Sequence, residues 1–131
     1  MDTNVLYIMM QRAEADLFVS KILLDIFKQP CAEIDLAAYH LQQALEKLMN
    51  YKLISISNKY EKTHDLLRIR NELGKNNIKI PKFINLQLLR DLKSFESLGR
   101  YNNTYITDIN KLYEYYSRIE RYLIILKQES K

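Results

Sequence analysis

Apolar residues recur along this chain at intervals of three and four, the spacing that lines one side of a helix. Leu6, Met9, Ala13, Leu17, Ser20, Leu24 and Phe27 keep that spacing and predict a long first helix over residues 3–28, which Pro30 ends. A second helix is expected just after Pro30, where the missing proline N–H costs nothing and Glu33 and Asp35 sit near the positive helix end. Its stripe is Ile34, Ala37, Leu41, Ala44, Leu45 and Leu48. The segment 53–57 alternates like a strand, but a lone short strand has no partner, so it reads as helix tail and loop. Thr63 is the expected N-cap of a short third helix over 64–73, with Gly74 at the left-handed C-terminal position. Pro81 opens a fourth helix to about residue 97, with Ile84, Leu88, Leu92 and Phe95 on its stripe and Gly99 closing it. After a connector over 100–106, Thr107 or Asp108 caps a last helix in which Ile109, Leu112, Tyr116, Ile119, Leu123 and Leu126 repeat without a miss. The pattern predicts an all-α fold, an up-down four-helix bundle with an additional short helix, filling residues 1–131 as a single domain.

Composition supports that class and narrows the setting. With two Gly and two Pro in 131 residues, the chain lacks the turn chemistry of a sandwich or barrel. One cysteine, Cys31, excludes an intramolecular disulfide and suits a reducing compartment. Arg12, Glu14 and Asp16 interrupt the first apolar stretch before it could serve as a signal peptide, and no window is apolar enough to span a membrane. A cytoplasmic protein without membrane contact is expected. Two isolated His and one Cys offer no metal-ligand spacing, and the two glycines lie too far apart for a phosphate loop, so neither a metal nor a cofactor is expected.

Charge is uneven. Lys59, Lys62, Arg68, Arg70, Lys75, Lys79 and Lys82 face only Glu61, Asp65 and Glu72 within residues 59–82, and this window carries the whole net charge of +4. Such a face is either a solvated helix and loop or a surface that attracts phosphates through counterion release.

The second helix holds the most informative polar group. At 100° per residue His40, Gln43 and Lys47 fall within about 60° of one another, roughly 90° from the apolar stripe. Polar groups at a core edge need partners, from a neighbouring helix, a ligand or a second subunit. His64 has two readings: it closes the turn beside Asp65, or it faces a ligand next to Lys62. Tyr113, Tyr115, Tyr116 and Tyr122 crowd the last helix, half of them off its stripe, which suits either self-association or packing on the first helix.

The run Ala38-Tyr39-His40-Leu41-Gln42-Gln43-Ala44-Leu45-Glu46-Lys47, followed by Thr63-His64-Asp65-Leu66 and then by Arg100-Tyr101, resembles the HEPN family of nucleotide-binding helical domains. The likeness spans roughly residues 5–125. It implies a helical bundle, usually a homodimer, often encoded beside a nucleotidyltransferase partner in a toxin-antitoxin-like pair. Some members of the family are metal-independent ribonucleases; others bind nucleotides or RNA without cutting. The ribonuclease branch uses Arg followed four to six residues later by His, a pair in which Arg stabilises phosphate charge and His moves a proton. Here the matching stretch runs from Arg100 to Tyr105, with Tyr105 where the His should stand. Tyrosine titrates near 10 and is a poor base at neutral pH. The resemblance therefore points to a dimer that binds nucleotide or RNA phosphate through Arg100, Tyr101, His40, Lys47 and His64, rather than to an enzyme. The alternative is a ribonuclease toxin with Arg100 and Tyr105 as its catalytic pair.

Overall fold

The computed structural model describes residues 3–60, 62–101 and 104–130, with side chains over 4–60, 62–95 and 104–130. Every regular element among them is a helix: α1 (Thr3–Ile26), α2 (Ala32–Ser57), α3 (Leu66–Lys75), α4 (Leu86–Tyr101) and α5 (Ile109–Glu129). The helical stripes read from the sequence point inward. Ala13, Leu17, Ser20 and Leu24 of α1, the whole stripe of α2, Ile84, Leu88 and Leu92 at α4, and Leu112, Ile119, Leu123 and Leu126 of α5 are all buried.

Helix ends depart from expectation for local reasons. α2 continues through Leu53 and Ile54, both buried, and stops only where Asn58 turns left-handed at φ 58° and returns its N–H to the Ile54 carbonyl. The cap of α3 is Asp65, whose carboxylate accepts from the Leu67 N–H at 3.0 Å; Thr63 instead accepts from the Asp65 N–H. Gly74 stays helical, and the left-handed residue after α3 is Asn77, also at φ 58°. Residues 81–84 form a turn, so α4 opens at Leu86 under the Asn85 side chain, which accepts from the Leu88 N–H. It passes Gly99 and runs to Tyr101. Asp108 caps α5 through the Lys111 N–H, as read from the sequence.

α2 is the hub, in contact with each of the other four helices. α1 runs antiparallel to it: Ser20 donates to the Ala37 carbonyl, while Asp16, earlier on α1, meets His40 and Lys47, later on α2. Ala13, Ala37, Ala38 and Ala44 have no exposed surface, and their small side chains let the two backbones approach closely. α1 also packs on α5, where Lys127 pairs with Glu14 and the Tyr113 hydroxyl donates to the Leu24 carbonyl.

The tyrosines of α5 therefore work inside the chain. Tyr115 and Tyr122 are buried, whereas Tyr116, placed on the stripe by the sequence, is half-buried and donates to Glu120. Burial first, and then that carboxylate, push the Tyr116 phenol up to about 12. Tyr115 donates to Asp91 of α4 and clamps the two helices together. The outer side of α1 leaves Phe18, Ile22 and Ile26 exposed at four-residue spacing.

Candidate functional site

α2 presents two polar rows at helical spacing, His40, Gln43 and Lys47 beside Gln42, Glu46 and Asn50. Between them they face α1 and the segment that leads into α3. Asp16, half-buried on α1, joins the first row. One carboxylate oxygen lies 2.9 Å from His40 Nδ1, and the other lies 2.7 Å from Lys47 Nζ. His40 is also held edge-on by the ring of Tyr39. The second row is tied to the segment before α3. His64 Nδ1 sits 3.0 and 3.1 Å from the two oxygens of buried Glu46, and Gln42, with no exposed surface, donates to Glu46 and to the His64 carbonyl. Gln43 and Lys47 bridge the rows, Gln43 donating to Gln42 and accepting from Lys47.

These rows border a cavity of about 450 Å³. Val5, Ile8 and Met9 of α1 form its apolar side, with Arg12 one turn further along the same helix; Gln43, Glu46, Lys47, Asn50 and His64 form its polar side, and Tyr60 also lines it. An apolar wall facing a few convergent polar groups is the usual make-up of a small-molecule site. The charges are unevenly satisfied. Lys47 shares Asp16 with His40, and Glu46 is opposed by His64, but Arg12 has no acidic partner among the described residues. A guanidinium left in that state offers a fork of donors suited to phosphate or carboxylate. When His64 is neutral, Glu46 selects the Nδ1–H tautomer and puts the proton-accepting lone pair on Nε2.

The structure brings Lys47 and His64 to one cavity and attaches His40 to it at one remove, through Asp16. The arrangement of His40 and Lys47 is the satisfied inter-helix network that their position at the core edge requires. His64 meets Glu46 and does not close the α3 turn, a task that falls to Asp65. The side chains of Arg100 and Tyr101 lie outside the described residues, as do Asn102 and Asn103. Tyr105 is exposed on the connector before α5, and the next residue, Ile106, donates its N–H to Asp35 in the first turn of α2. From Asp35 to Lys47 is twelve residues, about 18 Å along a helix, so Tyr105 does not join the cavity of its own chain. Among the described residues no group of His, Cys, Asp and Glu is arranged to hold a metal, and no helix is long and apolar enough to cross a membrane.

Sequence reading missed Arg12, Asp16 and Asn50 as members of this site. Arg12 and Asp16 did carry a signal: with Glu14 they are the sole charges between Thr3 and Ser20, and they stand four apart on one side of α1.

No curated protein and no solved structure matches this chain. The family model for the HEPN domain matches residues 7–127, which takes in α2 with both polar rows, the His64 segment and nearly all of α1 and α5. The chain belongs to the HEPN domain family.

Proposed function

We propose that this HEPN domain binds a nucleotide or an RNA phosphate in the cavity between α1 and α2, and that it does so as a homodimer. The observation that carries the reading is Arg12, a cation without an acidic partner among the described residues, which lines the cavity with Lys47 and His64 and stands one turn of α1 beyond the apolar side chains of Ile8 and Met9. That combination suits a ligand with a flat apolar part and an anionic part. Val5, Ile8 and Met9 take the base, while Arg12 and Lys47 take the phosphate. His40 acts through Asp16 to position Lys47, and Arg100 with Tyr101 contributes a phosphate contact or a dimer contact. Self-association is supported by the outer face of α1, where Phe18 and Ile26 are 66% and 64% exposed. The family setting supports a nucleotidyltransferase as the partner in a toxin-antitoxin-like pair.

Calorimetric titration of mononucleotides and short RNA tests the cavity. Arg12→Ala and Lys47→Met should each weaken nucleotide binding about tenfold or more, as expected for losing one charge-assisted contact, and Arg100→Ala should also weaken it. Equal affinity in wild type and all three variants removes the reading. Sedimentation of wild type against Phe18→Asp tests the dimer: a monomeric wild type, or an unchanged dimer in the variant, overturns that part.

A further inference from the structure

From Leu73 to Arg90 the chain contains no Asp and no Glu, yet it carries Lys75, Lys79, Lys82 and Arg90. The fold gathers most of this charge on one surface away from the cavity. Two adjoining grooves, of about 330 and 600 Å³, share Arg70 and Ile80 as a common wall between the end of α3 and the start of α4. Lys79 borders the first, and Lys82 and Arg90 border the second. No carboxylate lines either groove. Lys75 is paired with Glu72 at 3.1 Å, but among the described residues Arg70, Lys79, Lys82 and Arg90 have no acidic partner. A further cation stands nearby, since the Arg121 guanidinium of α5 lies 4.4 Å from the ring centre of Phe83, next to Lys82.

Four exposed cations along a joined trough repel one another, and no carboxylate among the described residues pairs with them. A ligand with regularly spaced negative charges would do so, releasing its own condensed counterions as it binds. Amide side chains supply the remaining contacts: Asn71 borders the first groove and Asn85 the second, and such amides commonly donate to phosphate and sugar oxygens. A trough admits one flexible strand, whereas the convex surface of a duplex would touch only its rims.

We propose that the trough holding Arg70, Lys79, Lys82 and Arg90 is a docking track for the backbone of single-stranded RNA. Asn71 and Asn85 lie within it to meet ribose hydroxyls. The proposal rests on the reading of this protein as a binder of nucleotide or RNA phosphate, but it assigns the extended backbone to a different surface from the cavity.

The test is fluorescence anisotropy with a labelled oligouridylate of about 20 nucleotides, at salt from roughly 50 to 200 mM. The R70Q/K79Q/K82Q/R90Q variant changes exposed side chains only and should keep the wild-type circular dichroism spectrum. It should bind the RNA at least tenfold more weakly, and its log-log salt slope should be shallower by about 3, the value for four lost contacts to a single strand. Mononucleotide binding at the cavity should be unchanged. Should the fourfold variant misfold, the single reversals Lys82→Glu and Arg90→Glu should each still weaken RNA binding. Retention of wild-type RNA affinity and slope in the folded variant overturns the track while leaving the cavity untouched. Loss of RNA binding in the variant, with no mononucleotide binding in wild type, keeps the track and removes the cavity. Competition by polyglutamate of equal length as effective as by oligouridylate, or equal affinity for the matching deoxyoligonucleotide, overturns the choice of RNA as occupant.

Discussion

Glu46 turns both of its carboxylate oxygens toward Nδ1 of His64, a residue eighteen positions further along the chain. The pair fixes the segment before α3 against the middle of α2 and sets one edge of the cavity. Its two halves are unequal, because Glu46 is buried while the His64 side chain is 67% exposed. Water weakens the ionic part of the contact, and the more consequential partner of Glu46 is Gln42, which has no access to solvent.

Glu46→Leu should therefore lower stability by about 1–2 kcal/mol, the cost of stranding a buried amide donor. Glu46→Gln keeps an acceptor in place and should lose clearly less. Urea unfolding of the two variants checks this, and equal losses would show that Gln42 does not depend on the carboxylate.

Acid should loosen the junction of α4 and α5. Partial burial raises the Asp91 pKa, but hydrogen bonds from Tyr115, Lys111 and Gln87 outweigh it and hold the carboxyl below its ordinary range. A folded-state value below the unfolded one gives stability that is present above about pH 4 and is lost as pH falls through the folded value. Asp65 follows the same sign: partial burial raises its pKa, and Lys93 with the Leu67 and Arg68 backbone N–H groups lowers it by more. Asp91→Asn should be less stable than wild type at neutral pH, and the gap should close as pH falls below about 4. A gap that stays constant over that range would contradict the assignment.

The close approach of α1 and α2 makes a sharper prediction. Ala37 has no exposed surface and its carbonyl accepts from Ser20 of α1. Ala37→Leu forces extra volume into this contact and should cost about 1–3 kcal/mol or more. A conservative change on the outer side, Ile26→Val, should cost under about 0.5 kcal/mol. Thermal unfolding of both variants distinguishes a tight interface from a loose one.

Tyr122 offers a stabilising change. Its hydroxyl is buried and has no hydrogen-bond partner among the described residues, and burial pushes the phenol well above its ordinary value. Tyr122→Phe removes an unsatisfied polar group while keeping the ring, and should raise stability by about 1 kcal/mol. A loss on denaturant unfolding would mean that the hydroxyl is satisfied in solution.

The apolar stripes were legible in the sequence because each is a local, periodic record of which side of a helix meets the core. Helix ends were less legible, since each depends on a partner that the local sequence does not name. Thr63 and Asp65 are both good caps two residues apart, and the choice falls to Asp65, which also receives Lys93 from α4. Pro81 suits a first helical turn, but residues 81–84 close on themselves and Asn85 supplies the cap. Leu53 and Ile54 look like a strand fragment until α2 is seen to be surrounded, when adjacent positions can both be buried. His40 and Lys47 stood out as polar residues at a core edge, and His64 as an imidazole beside the start of a helix. Arg12 and Asp16 did not, because their meaning depends on which face of α1 lies against α2.

Because α2 touches every other helix, the amides in its middle turns have no partial route to solvent. Hydrogen exchange there should proceed only through opening of the entire molecule and so should report its full unfolding free energy, while the ends of α3 and α4 exchange sooner. Gln43, Glu46 and Lys47 project from those slowest turns, and their mutual spacing persists for as long as any molecule remains folded.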